Sequence, residues 1–377
     1  MCFGFKIIFK LCALFGISPY SFSERNEKII VIRRYIVILI TLIWISLYSF
    51  TLMHRIISNT YESEISKILL SFFIVTVFSH ATSIVSVYTA FRKKYPSILQ
   101  EISEIDVHDF SLEHSNKNVN IWKIMQVCEI MLIVIALAVT NYTGLVEYCS
   151  LPIWDFGDKV LLHLGGVCNT LLTCQYSIII LMVKSKYYVM NQFICYHLQY
   201  NKRVMNKNNN DLFVSRSSVV KSNASSLSNV RFINIIHKLR ITHDKLHDVV
   251  SSINKDYGLT ILLFFCWTLT LVITSLPYIS EYSMLYCLYT VAILGRLPIF
   301  CHSAVSEFDN SKILIQKMIL HNEFGPVANK DLKRLSSQLN SMKIEYSACG
   351  FFSLNLSFLG SVISVVVSYV LLVIQLK

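Results

Sequence analysis

Seven long stretches almost free of charge limit what this 377-residue chain can fold into. They cover residues 35–53, 68–91, 130–146, 160–183, 257–280, 282–306 and 357–376. Each has at least 17 residues, enough to cross about 30 Å of hydrocarbon as a helix rising about 1.5 Å per residue. Of the 34 Lys and Arg residues, 29 lie in alternate gaps: six before the first stretch, five in 92–129, twelve in 184–256 and six in 307–345. Basic loops stay on the cytoplasmic side of a membrane. The pattern predicts an all-α membrane protein of seven transmembrane helices with inverted topology, the N-terminus inside and the C-terminus outside. A seven-helix protein coupled to G proteins would face the other way.

Composition agrees. A mean hydropathy of +0.53 with 54% hydrophobic residues excludes a soluble enzyme with a large core. The net charge of +11 does not mark a nucleic-acid partner. The inner segments hold 29 basic against 17 acidic residues and the outer ones four against six, so the excess belongs to topology and to the anionic inner leaflet of the bilayer. No basic module interleaved with aromatics is present. The eleven cysteines contain no CxxC pair and predict no metal site. Only Cys149 lies clearly outside, so no extracellular disulfide framework is available. The first 17 residues mimic a signal peptide but lead into Ser18-Pro19-Tyr20 without a small-x-small cleavage site, which predicts a retained interfacial segment.

The predicted organisation is a cytoplasmic segment at 1–34, six membrane helices with cytoplasmic extensions over 35–306, and an anchor helix plus a seventh membrane helix over 307–377. Glu101-Ile102-Ser103-Glu104-Ile105-Asp106 and residues 233–250 show helical apolar spacing with charged faces, so spans continue as helices into the cytoplasm. Between them, 206–228 is rich in Asn and Ser and predicts a disordered insert. Glu281 alone separates the fifth and sixth spans, which requires a tight hairpin of helices. Residues 346–376 carry no charge, and as one helix would measure about 46 Å. Cys349-Gly350-Phe351-Phe352 supplies a natural break before the last span.

No catalytic constellation appears. GxSxG, HExxH and Walker motifs are missing, and no span contains Asp or Glu, so neither an enzyme nor a cofactor is expected. His80 and His163 are isolated. Arg296 is the one formal charge inside a span. One reading is a functional contact, for gating or for an anionic ligand group. The stronger reading, near the inner third of the sixth helix, is a cation that snorkels to the interface or pairs structurally. A small-molecule site needs aromatic walls and a few placed polar groups. The outer halves of the spans offer Thr76, Asn141, Tyr142, His163, Asn169, Trp267, Thr270, Tyr278, Tyr286 and Tyr289, residues that helix packing and interfacial belts also use. The sequon at Asn141 lies on the outer side, too close to the bilayer for glycosylation. In the last span, Ser361, Ser364, Ser368 and Gln375 follow steps of three, four and seven, so one helix face carries all four. Such a stripe suits a water-filled axis, with Ser-mediated helix packing as the alternative.

The ending Ser368-Tyr369-Val370-Leu371-Leu372-Val373-Ile374-Gln375-Leu376 resembles the signature of insect gustatory receptors: Thr-Tyr, five hydrophobics, then Gln-Phe. Ser368 replaces Thr, and Leu376 replaces Phe. Ala348-Cys349-Gly350-Phe351-Phe352-Ser353-Leu354-Asn355 is similar to the family's lead into the last helix. Leu14-Phe15-Gly16-Ile17-Ser18-Pro19-Tyr20 and the Lys186 to Asn191 region match further. The resemblance covers the whole chain, with its last 30 residues the most specific.

The resemblance implies a ligand-gated, non-selective cation channel in the plasma membrane of sensory neurons, a homo- or heterotetramer with other gustatory receptors. It is opened by a small-molecule tastant, a bitter compound or a sugar. In such channels the final helices line a central pore above a cytoplasmic helical anchor. Gln375 and Leu376 match the pore constriction, and Tyr369 the signature Tyr that packs the pore helix. Four Gln375 side chains would form a ring of amide dipoles beside a hydrophobic ring. An insect odorant receptor channel is the nearest alternative. A secondary transporter, from a different class, would need a coupling carboxylate at membrane depth, and none is present.

Overall fold

The computed structural model describes residues 171–199, 221–275, 281–321 and 325–375, with eight single positions upstream. Side chains are described over 232–269 and, apart from Ala292, from 294 onward in the next helix. The described residues are almost wholly helical: α1 (171–199), α2 (Lys221–Ser275), α3 (Glu281–His321), α4 (Gly325–Ser341) and α5 (Leu356–Gln375). The single sheet among them is a hairpin of β1 (Ser347–Ala348) and β2 (Phe352–Ser353), between α4 and α5.

Helix lengths already say much. The 55 residues of α2 and 41 of α3 give about 80 and 60 Å of continuous helix, well beyond a bilayer core of about 30 Å. Within α2, the charged half ends at Asp256 and an uncharged run begins at Tyr257. Among the described residues one segment, Phe232–Leu269, is long and apolar enough to cross a membrane, and Leu356–Tyr369 is a shorter apolar one. α2 starts at Lys221, inside the segment expected to be a disordered insert. Leu227 and Val230 continue the apolar spacing of the helix that follows, and extending an existing helix avoids the cost of nucleating one.

The core sits where α1 to α4 converge. From 171 to 181 every side chain of α1 is buried, the mark of a helix enclosed on all sides. Past residue 183 it becomes two-faced, with Tyr187, Met190 and Ile194 inside. On α2 the periodic set Ile236, Leu239, Leu246, Val249, Val250 and Ile253 is buried, and on α4 the set Ala328, Leu332, Leu335 and Leu339. These are the stripes that the apolar spacing requires. Upstream, Ile102 and Ile105 are buried, three residues apart, and the Ile105 carbonyl accepts a hydrogen bond from Lys186 Nζ at 2.7 Å.

Polar contacts within this core join α1 to α3. Asn191 Nδ2 donates to the Glu307 carbonyl at 2.7 Å and to its Oε2 at 3.0 Å, while Ser311 Oγ donates to Asn191 Oδ1 at 2.6 Å. Burial lowers the ammonium pKa of Lys184, and the Glu307 carboxylate works against that shift. Burial likewise raises the Tyr187 phenol, whose ring packs against His243 of α2 and Phe308 of α3 at 5.6 and 5.7 Å.

The uncharged stretch after Tyr346 is broken as its Gly350 requires. Cys349 and Gly350 both have positive φ, 51° and 77°, and the Phe351 N–H donates to the Ala348 carbonyl at 3.0 Å. Two left-handed central residues make the tight turn that suits a twisted hairpin. The hairpin docks on one face of α2. Asn254 Nδ2 donates to the Glu345 carbonyl at 2.6 Å and its Oδ1 accepts from the Ser347 N–H at 3.1 Å. One turn on, Gly258 admits the turn itself, since a Cβ there would meet the Cys349 backbone nitrogen at 2.8 Å. Two turns further, Phe265 receives the edges of Phe352 and Phe358, which stack on each other at 4.2 Å. Lys343 and Ser353 bond the Glu345 carboxylate and hold its pKa below the usual range.

Substitutions at three positions test this packing by thermal unfolding of purified protein. Gly258→Ala overpacks the hairpin and lowers stability by about 1–3 kcal/mol, whereas Gly360→Ala, where an added Cβ meets nothing within 4 Å, is neutral or stabilising by about 0.5–1 kcal/mol. Asn191→Ala removes both amide bonds to Glu307, leaves Ser311 Oγ only its longer bond to the Glu307 carbonyl at 3.3 Å, and costs about 1–3 kcal/mol. Asn191→Asp, which sets a second carboxylate against Glu307, costs more than Asn191→Ala.

Candidate functional site

The last helix is built to start at a fixed point. Asn355 Oδ1 accepts from the Phe358 N–H at 2.8 Å, an N-cap that satisfies one of the free donors at a helix start. From there α5 packs on α3 and α2, and among its described side chains Phe358, Leu359, Val362, Val366 and Tyr369 are buried or half-buried. Tyr369 is half-buried on the same side of the helix as Val362.

The polar stripe points elsewhere. Ser361, Ser364, Ser368 and Gln375 are all exposed, centred roughly 140° around the helix from Val362 at about 100° per residue. All four lie away from the buried and half-buried face of the helix. Two of the hydroxyls turn back on α5 itself: Ser361 Oγ donates to the Ser357 carbonyl at 3.2 Å and Ser368 Oγ to that of Ser364 at 2.8 Å. Back-bonding satisfies each O–H without a partner helix and leaves the oxygen lone pairs to accept from water. Ile363, Val365, Val367, Leu371 and Leu372 are also about half exposed, so α5 offers an apolar flank and a polar line to whatever surrounds it. Leu376 lies outside the described residues.

Of the expected ligand-pocket residues, Trp267 is described to its side chain. It is buried, its ring 6.3 Å from that of Phe264, and it belongs to the α2 core. Thr270, Tyr286 and Tyr289 are placed by their helical backbone alone, and Thr76, Asn141, Tyr142, His163, Asn169 and Tyr278 lie outside the described residues. So do His80 and Cys149. Among the described residues, no cluster of His, Cys, Asp and Glu could hold a metal ion.

Arg296 sits on α3 two residues before Pro298, half-buried, with its guanidinium 4.9 Å from the centre of the Phe300 ring. Its neighbourhood includes a cavity of about 500 Å³ between α3 and α5, with Leu269 of α2 at one side. Local sequence reasoning could place Arg296 in the membrane but could not see this cavity, because its walls come from segments about 65 residues apart in the chain.

The whole arrangement has relatives. A sequence search of curated proteins found no match. Among solved structures, the insect olfactory receptor OR5 from Machilis hrabei in complex with eugenol superposes with a TM-score of 0.67 at 13% identity, covering 99% of this chain and 98% of that one. The structure of the same receptor described without eugenol gives 0.68 at 13% identity, covering 99% and 97%. At that identity the likeness is one of fold. By sequence, residues 5–377 match the model of the 7tm chemosensory receptor family. With a signature-like ending on a capped, outward-striped last helix and a family match from residue 5 to the final residue, this chain belongs to the 7tm chemosensory receptor family of membrane receptors.

Proposed function

We propose that the protein is a ligand-gated, non-selective cation channel of the gustatory branch, opened by a small-molecule tastant, a bitter compound or a sugar. It works as a homo- or heterotetramer in the plasma membrane of sensory neurons, with the N-terminus inside and the C-terminus outside. The observation that carries this reading is the exposed stripe Ser361, Ser364, Ser368 and Gln375 on a helix whose opposite face is packed. Within a bilayer, exposed polar side chains are costly against lipid and satisfied against water. Four copies of α5 around one axis meet that requirement, with Gln375 and Leu376 at the outer end as constriction and Ser368, Ser364 and Ser361 below. The anchor is the bundle of the inner halves of α1, α2 and α3 with α4. The Ser-Tyr…Gln ending supports taste over smell. The odorant reading is favoured by the likeness in fold to an olfactory receptor, and a tastant panel tested beside an odorant panel separates the two.

Topology is tested first. An epitope ahead of Met1 is accessible only after permeabilisation, and one after Lys377 is accessible on intact cells. The reverse pattern removes the channel reading, which depends on the 29 basic residues of the inner gaps.

The pore assignment is tested by expression in a null cell, with calcium imaging and patch clamp against tastants. Gln375→Glu places four carboxylates at the constriction and raises divalent permeation or block. Gln375→Arg abolishes cation current while surface expression is kept. Unchanged selectivity in Gln375→Arg would show that α5 does not line the pore.

A further inference from the structure

The cavity between α3 and α5 has an unusual lining. Ala292, Leu294, Ile299, Leu359 and Val366 are typical of its walls, and Arg296 is its one charged member. At its narrow end the helices nearly touch, since a Cβ added to Gly295 would lie 3.5 Å from Leu359 Cδ1. From there the space opens sideways, and Ala292, Ile299, Ile363 and Val367 on its rim are exposed. It is therefore a groove open to the surroundings of the helices. At about 500 Å³ it falls within the range of small-molecule sites, about 300–1,000 Å³.

Depth and charge select an occupant. Arg296 is 14 residues along from Tyr282, roughly two-thirds of a span of about 20 residues, and so in the half of the bilayer nearer the basic loops. The leaflet on that side carries the anionic lipids. The guanidinium lies over the Phe300 ring. A guanidinium beside a ring keeps its N–H donors in one plane, a fork shaped for a phosphate or carboxylate. An apolar trough with a single cation at lipid depth is complementary to an acyl chain that ends in an anion.

We infer that this groove is a binding site for an acidic phospholipid of the inner leaflet, one acyl chain lying between α3 and α5 and the headgroup phosphate drawn to Arg296. The lipid holds α5 at a set distance from α3 beyond the Gly295–Leu359 contact. If α5 lines the pore, as proposed above, occupancy biases the gate. The binding itself depends only on α3 and α5 lying in a membrane, so failure of the pore reading leaves the site standing.

The test is lipid retention. The full-length receptor is reconstituted in nanodiscs of mixed phosphatidylcholine and phosphatidylserine, extracted in mild detergent, and its bound lipids are identified by native mass spectrometry. Wild-type protein retains phosphatidylserine in preference to phosphatidylcholine. Arg296→Gln lowers that preference by roughly tenfold, the size of one charge-assisted contact, and Arg296→Lys keeps part of it. Ala292→Trp, which fills the groove and leaves the cation in place, lowers retention of both lipids. Lys330→Ala on the exposed face of α4 changes neither. Size-exclusion profiles matching wild type establish that the variants fold, and Ala292→Trp decides the matter if Arg296→Gln does not. The site is overturned if Ala292→Trp retains both lipids as wild type does, or if a folded Arg296→Gln keeps the preference. It is equally overturned if only free fatty acid is retained.

Discussion

The seating of the β1–β2 hairpin on α2 is the contact on which the position of the last helix depends. Asn254, Gly258 and Phe265 lie on one face of α2 and meet, in order, the backbone at Glu345 and Ser347, the turn at Cys349, and the aromatic pair Phe352 and Phe358. The three contribute in physically different ways. An amide replaces a missing strand partner, an absent side chain admits a backbone, and a ring face closes the gap. Two residues after β2 the Asn355 side chain sets the first turn of α5. The orientation of the polar stripe follows from that chain of contacts.

The strain in the turn supports the same view. Cys349 adopts a left-handed conformation that costs a non-glycine residue roughly 1–2 kcal/mol. It is held there by hydrogen bonds and packing on both sides. The Ser353 hydrogen bond to Glu345 ties the two edges of the hairpin together and Lys343 holds the same carboxylate, so the flanks add to what Gly350 contributes within the turn.

Periodic features are legible in the amino-acid order alone. The buried pair Ile102 and Ile105, the inward stripe of α2 from Ile236 to Ile253, the break at Gly350 and the common face of Ser361, Ser364, Ser368 and Gln375 all follow from local spacing. What stays hidden shares one cause. Asn191 finds Ser311 across 120 residues, and Asn254 finds Glu345 across 91. A lone asparagine carries no local sign of a partner so distant. The hairpin escapes for the opposite reason, since strands of two residues are too short to show alternation. The helical start of α2 at Lys221 is obscured by a composition of Asn and Ser that reads as disorder but can extend a helix already formed. Most of the expected pocket residues lie outside the described part of the chain, and the α3–α5 groove is lined by aliphatic side chains that any membrane helix would carry.

The separation between Asn254 and Glu345 has a consequence for biogenesis. A ribosome that has finished α2 must still make α3, α4 and the linker before the face bearing Gly258 receives its cover. Through that interval an unsatisfied amide and a bare glycine notch stay open, until a long loop closes against its chain entropy. A chain released anywhere before β1 leaves that seat vacant. The face of α2 at Asn254, Gly258 and Phe265 is therefore completed only by a segment made after α3 and α4.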